Sequence, residues 1–315
     1  MKVALALMIM VCGDLFAATG GGTRVVFVRE NEICVANQDG SNLRQITSDG
    51  KPKQMPKWSP DGTEIAYLTT GDMSRDPKSR WEIEVVSCDG RHVGSAPIRV
   101  TDADGTGIAT MRGVEHMGWL DAHHVYAEGS FNPYNGEFRA IDIRSQKEGP
   151  WLVGNGFVTC HARGRVSFFA ATFPQDKRLR VEVGAEDTDR FIFPDWDKLP
   201  DIHVSMLWTP GCRDVALVDP RPPAALVLVG AEQGVRRIPL PGWGFENAKL
   251  TLVDGKLLMR GASRAFLYDF QRNAVTEAPK ETLKKLDAEV TARERVVRQL
   301  KGESPDWWSG GPSGH

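Results

Sequence analysis

A chain of 315 residues, 41% hydrophobic and 25% charged, is ordinary globular material with enough length for a large core. Its 39 Lys and Arg against 41 Asp and Glu leave a formal charge of -2. With no basic excess to neutralise phosphates, the composition argues against a nucleic-acid binder.

The first residues, Met1-Lys2, then Val3 to Cys12, then Leu15-Phe16-Ala17-Ala18, have the charged start, short apolar run and small-residue exit of a secretory leader. The expectation is a leader over 1–18, cleaved after Ala17 or Ala18, and a periplasmic or secreted mature chain. The apolar run is too short to span a membrane, so no span is expected in the mature chain. Val11 before Cys12 is not the small residue of a lipoprotein signal, which favours a soluble exported product. Removing the leader leaves Cys34, Cys88, Cys160 and Cys212. A chain of this size folds without staples, and Cys160 with Cys212 is the one pair that the repeat register below can bring near bridging distance.

The clearest local signal is Trp58-Ser59-Pro60-Asp61-Gly62, followed by Ile65-Ala66-Tyr67-Leu68. Pro60 presets the first central dihedral of a turn, Gly62 supplies a left-handed residue, and the apolar run reads as the strand leaving a hairpin. Copies follow at a period near forty residues. The first unit runs through Arg24–Val28, Glu32–Asn37 and Leu43–Thr47. The second starts at the hairpin and continues with Trp81–Val86 and Ile98–Thr101. Later units begin at Gly118-Trp119-Leu120-Asp121, Val158–His161, Met206-Leu207-Trp208-Thr209-Pro210-Gly211 and Leu250–Gly255. Units of four short strands at this period are the signature of a β-propeller, so the expected fold is all-β: a six-bladed propeller over 22–278, with five to seven blades as the range. The first unit lacks an innermost strand, so ring closure has to be irregular or supplied from the other terminus.

The residues Ile33–Asn37, Asp39-Gly40-Ser41-Asn42-Leu43, Ile46-Thr47, Pro56 and Trp58–Gly62 resemble the repeat of the TolB-type propeller family across roughly the first hundred residues. Later copies depart from it, since Trp119-Leu120-Asp121-Ala122 lacks the proline and glycine. The resemblance implies an exported six-bladed propeller. Members of such a group range from partner-binding periplasmic proteins to sugar-processing enzymes and regulatory domains of peptidases, so function does not travel with the fold. With a leader expected over 1–18 and the repeats starting at Arg24, no separate amino-terminal domain is expected before the ring.

Beyond the ring, 279–301 reads as a helix, with Pro279 at its start and Gly302 as its stop. Leu283, Leu286, Val290, Val297 and Leu300 share one face. The remainder, 302–315, is expected to be a flexible tail, although Trp307 and Trp308 need somewhere to dock.

For function, the leading expectation is a non-catalytic binding or scaffold module for an envelope protein, a peptide or a glycan, with no cofactor. Arg112, Trp196 and Trp243 are the expected contact residues, because Arg and Trp concentrate binding energy; blade packing is the structural alternative for both tryptophans. His116 and His203 join them through their place before the innermost strands. Aligned on the repeat, His116 falls three residues before its anchor tryptophan and His203 five before, with Glu246 at the place of His203; positions three and five before the anchor share a side of an extended strand. Two histidines and a carboxylate can hold a divalent metal, and the alternative is therefore a metal-dependent carbohydrate lyase or hydrolase. His123-His124 occupies the turn that Asp61-Gly62 fills in the first copy and reads as a solvated turn.

Overall fold

In a computed structural model the structure describes residues 22–70, 79–99, 111, 113–132, 135–170, 179–183, 189–193, 205–230, 234–244 and 247–309. The chain is a β-propeller of five antiparallel sheets with one carboxy-terminal helix. The first sheet holds β1 (Arg24–Arg29), β2 (Glu32–Asn37) and β3 (Arg44–Gln45). The second holds β4 (Lys53–Trp58), β5 (Glu64–Thr70), β6 (Ser79–Ser87) and β7 (His92–Arg99) in that order. The third has seven strands: β8 (His116–Trp119), β9 (His124–Asn132), β10 (Asn135–Asp142), β11 (Glu148–Cys160), β12 (Arg165–Ala170), β13 (Leu179–Val183) and β14 (Asp189–Phe193). The fourth is β15 (Met206–Trp208), β16 (Asp214–Asp219), β17 (Ala225–Gly230) and β18 (Gly234–Pro239). The fifth is β19 (Lys249–Val253), β20 (Lys256–Arg260), β21 (Ala265–Asp269) and β22 (Ala274–Glu277). Then come α1 (Lys280–Gln299) and β23 (Glu303–Trp308), which returns to lie beside β1.

The hairpin that dominates the sequence is built as its residues dictate. Gly62 sits at φ 69°, and the Asp61 carboxylate accepts from the Ser59 hydroxyl (2.6 Å) and the Thr63 amide (3.0 Å). The Ser59 hydroxyl in turn accepts from the Glu64 amide at 2.9 Å. The degraded copies keep the closing bonds with different side chains. The Asp214 amide donates to the Thr209 hydroxyl at 3.0 Å, and Asp121 accepts from the His123 and His124 amides at 2.8 Å each. His123 and His124 thus form the turn expected of them, with the His124 ring held by Asp121 at 2.9 Å.

Alternate residues of a strand point to opposite sides, so the sheets pack face to face with their neighbours, and the first and fifth each turn one face to the helix. Val26, Val28, Ile33 and Val35 of the first sheet pack with Trp58, Ile65 and Tyr67 of the second. Leu68, Ile83 and Ala96 pack with Trp119, Val125 and Ile141 of the third. Cys160 and Phe169 meet Trp208 and Val215 of the fourth, and Leu226 and Leu228 meet Leu257, Phe266 and Tyr268 of the fifth. The anchor tryptophans also stitch the innermost strands: Trp119 donates its indole N–H to the Lys57 carbonyl (3.2 Å) and Trp208 to the Val158 carbonyl (2.9 Å).

Two expectations change. The segment 302–315 is not a flexible tail throughout: Glu303–Trp308 forms β23, pairing Val25 with Trp307 and Arg24 with Trp308. This is the innermost strand that the first unit lacked. Trp308 docks beside Arg24, whose cation lies 4.0 Å above its ring and 4.6 Å from that of Trp58, while Trp307 packs on Val25 and Phe27 with Arg293 5.4 Å from its ring. The third and fourth repeat units are also not separate sheets. One thirteen-residue strand, β11, pairs with β10 through its first half and with β12 through its second. Gly154 makes this fit, since an added Cβ would stand 2.3 Å from the Phe169 carbonyl oxygen.

The helix spans Lys280–Gln299 with Pro279 as its cap residue. Leu283 and Leu286 pack on Leu258 and Ala265 of the fifth sheet. Val297 and Leu300 pack on Val25, Phe27 and Cys34 of the first. It lies where the last and first sheets meet, tied also by Arg260 to Asp287 at 2.7 Å. Cys160 and Cys212 form a disulfide with Cα atoms 5.9 Å apart, whereas Cys34 and Cys88 are free and buried. The leader region lies outside the described residues.

Candidate functional site

Of the expected site residues, Arg112, Trp196, His203 and Glu246 lie outside the described residues. Trp243 is buried, only 7% exposed, against Phe266 with ring centroids 5.9 Å apart. It takes the packing role and offers no face to a partner, which corrects its assignment as a contact residue. His116 is exposed at the start of β8, opposite Glu128 of β9 in the strand register. Among the described residues no three His, Cys, Asp or Glu side chains gather closely enough to hold a metal ion.

The surroundings of His116 are nonetheless electrostatically distinctive. Burial, reinforced by the Glu115 carboxylate, pushes Glu128 up to about 7. Tyr126, two residues earlier on β9, is pushed up to about 12, chiefly by burial. Near the inner end of the second sheet, Asp306 of β23 accepts from the Trp58 amide (2.9 Å) and from Lys57 Nζ (3.3 Å).

A cavity of about 500 Å3 opens between the second and third sheets, within the size of small-molecule sites, roughly 300–1,000 Å3. Pro97 and Ile98 of β7 form one wall, and Arg139 and Ile141 of β10 with Trp151 of β11 form the other. Strand alternation places Glu137, Arg139 and Ile141 on one side of β10, and register sets Trp151 opposite Arg139. Glu137 is fully buried. Its Oε1 accepts from Trp151 Nε1 at 2.7 Å and from Arg139 Nε. Its Oε2 is buried and, among the described residues, without a partner.

The consequence is a fixed aromatic plate. Trp151 is 53% exposed, yet its indole N–H is tied inward to a carboxylate that solvent cannot reach. The Arg139 guanidinium is anchored through Nε, and its terminal nitrogens make no other hydrogen bond among the described residues. Gln146 and Glu148 complete the rim, with Gln146 Nε2 donating to the Ser95 carbonyl across the two sheets.

A second cleft of about 300 Å3 lies between the first and second sheets and includes Asp49, Tyr67, Glu84 and His92. Its floor is an internally satisfied ion network. Lys53, 4% exposed, donates to Glu32 (3.1 Å), to the carbonyls of Asn31 and Lys51, and to Asp49. Burial opposes the charge on Glu32, but Thr47, the Gly50 amide and Lys53 outweigh it and hold its pKa low. That network is complete without a ligand, so it reads as structural.

Neither Glu137 nor Trp151 stands out in the sequence, where Trp151-Leu152-Val153 reads as one more strand. The available signal was Glu137-Phe138-Arg139, two charges flanking a core phenylalanine on a strand with buried faces, which demands that the charges pair.

No protein-family model matches the chain. A curated relative, the Tol-Pal system protein TolB of Wigglesworthia glossinidia brevipalpis, is 32% identical over 82 residues. That stretch is 24% of this chain and 18% of the relative, so the match covers under a fifth of the curated protein. Dipeptidyl peptidase 4 of Porphyromonas gingivalis shares 11% identity at a TM-score of 0.51, over 87% of this chain and 45% of its own, a likeness of fold alone. TolB of Acinetobacter baumannii aligns over 81% of this chain and 61% of its own, with 13% identity and a TM-score of 0.38. Its repeated hairpins and sheet architecture make this chain a β-propeller, one short stretch of which is similar to TolB.

Proposed function

We propose that the chain is an exported, non-catalytic binding module of the cell envelope, taking an envelope protein, a peptide or a glycan. We count its seven-stranded sheet as two blades sharing β11, which makes six. The observation that carries the reading is the preformed cavity between the second and third sheets, where Glu137 holds an exposed tryptophan rigid. Ordering a flexible aromatic on binding costs conformational entropy, and a plate already held by a buried carboxylate avoids that cost. The leader-like segment at residues 1–18 supports export, and the stretch shared with a Tol-Pal system protein supports an envelope setting. Among the described residues no helix is long and apolar enough to cross a membrane.

The test is cell fractionation of the full-length chain, followed by titration of the purified product with solubilised envelope components. The expected result is a shortened chain in the periplasmic or culture fraction that binds a component saturably and returns it chemically unchanged. A full-size chain in the cytosol, or new reducing ends or amine termini released from the component, would overturn the reading.

A further inference from the structure

We propose that the cavity between the second and third sheets is a carbohydrate subsite, taking an uncharged mono- or disaccharide unit with one ring stacked on Trp151. The inference rests on the binding-module reading and narrows it to one ligand class.

Three features of the site converge on that class. The first is the direction of the indole N–H. Proline-rich peptides dock in aromatic-lined grooves, where a tryptophan with a free N–H also supplies a hydrogen bond to the peptide. Here that donor is spent on Glu137 at 2.7 Å, and the ring offers its surface without its polar handle. A pyranose, whose C–H face is apolar, needs only the surface.

The second is the set of polar groups around the plate. Arg139, Gln146 and Glu148 line the same cavity and present a guanidinium, a carboxamide whose oxygen is left to accept because its Nε2 is taken by the Ser95 and Ile143 carbonyls, and a carboxylate. All three are planar groups, and together they supply both donors and acceptors. Adjacent hydroxyls of a sugar both donate and accept, so planar groups of both kinds can pair with them; an apolar side chain would leave these polar groups unpaired at a cost.

The third is charge. Arg139 is neutralised within the wall by Glu137, and Glu148 stands at the rim, so the site holds no net positive charge to select an anionic ligand. The walls of Pro97, Ile98 and Ile141 supply the apolar remainder. A cavity of about 500 Å3 has room for more than one ring.

The experiment titrates the full-length mature chain with maltose, cellobiose and N,N'-diacetylchitobiose, read by saturation-transfer NMR and calorimetry, beside a proline-rich dodecapeptide. Trp151→Ala and Trp151→Phe are run in parallel, their folding checked by thermal melts. At least one saccharide should bind the wild type in the millimolar range or tighter. Both variants lose the bond to Glu137 and should melt somewhat lower while staying folded; Trp151→Ala should weaken binding about tenfold or more, and Trp151→Phe, which keeps an aromatic face, should recover most of the loss.

No saccharide binding, or binding that Trp151→Ala leaves intact, overturns the proposal. Peptide binding lost in Trp151→Ala overturns it too, while leaving the binding-module reading standing. Should a bound saccharide be cleaved, released reducing ends would support the subsite and overturn the non-catalytic reading, so the two fail separately.

Discussion

Glu128 shows how a single side chain can carry a pH dependence. Its folded pKa of about 7 lies above the ordinary value of 4.5, so as pH rises the unfolded chain releases this proton first. The stability associated with the protonated carboxyl is complete below about pH 4.5 and is lost as pH rises through about 7. Glu128→Gln keeps the shape and stays neutral. It should match the wild type near pH 4.5 and exceed it at pH 8 by on the order of 1–2 kcal/mol, a figure reduced for solvent screening of a partly exposed group. Urea titrations at both pH values measure this, and a difference that does not change with pH would sink it. Glu115 on the approach to β8 and His116 opposite Glu128 are its ionisable neighbours.

The same scale shows why the site was harder to read than the fold. Asp61 and Gly62 act locally, on amides two or three residues away, and local chemistry is written in adjacent letters. Glu137 acts on Trp151, fourteen residues away on the next strand, and its meaning depends on which faces the neighbouring sheets bury. The repeat set His116 beside His203 and Glu246, of which the last two lie outside the described residues, and the structure places His116 as the first residue of β8. The repeat had no means of revealing that Glu128 stands across from it. Trp243 illustrates the opposite error, where residue type alone promised a contact and packing against Phe266 had the stronger claim.

At the scale of elements, the third and fourth sheets are joined by a disulfide, by an indole hydrogen bond and by Arg165, which donates to the Cys212 carbonyl at 3.4 Å. The Cys160–Cys212 disulfide closes 52 residues, and Trp208 donates to Val158 on the strand that carries Cys160. The repeat register made this cysteine pair the only candidate, and the structure forms it. Replacing both cysteines with serine should cost about 2–4 kcal/mol in unfolding free energy. Reductant should destabilise the wild type by a similar amount and leave the double variant unchanged, with thermal melts providing the comparison. Equal melting temperatures for all four samples would show that the bridge contributes nothing. Cys34 and Cys88, both buried, should stay unreactive toward maleimide until the chain unfolds. The continuous β11 was illegible for a related reason: Gly154-Asn155-Gly156 is turn-like composition, and only the close approach at Gly154 shows a strand that bends and continues.

Over the whole molecule, closure of the ring depends on residues far apart in the chain. β23 completes the first sheet, Asp306 ties it to Lys57 and Trp58 of the second, and α1 packs against both the fifth sheet and the first. Asp306→Ala removes an acceptor from the buried backbone and should destabilise the protein by about 1–3 kcal/mol. Removing 303–315 should do more, exposing Val25, Phe27 and the Trp58 ring, with dye binding and loss of the near-ultraviolet aromatic signal as the measurements. A truncated chain with the wild-type melting temperature would show the ring to be held by sheet packing alone. The helix was legible in its apolar spacing and the missing inner strand in the repeat count; their connection was not, because β23 lacks the alternation of its siblings and reads as polar tail.

β1 and β23 are paired across nearly the full length of the chain. A ribosome delivers residue 24 long before residue 308. The first sheet therefore spends most of synthesis with an open edge and Val25–Phe27 uncovered, a condition that favours pairing with the wrong strand. Contacts of such separation also make for slow closure. This propeller is consequently a late folder by construction, its first sheet complete only when its last strand arrives.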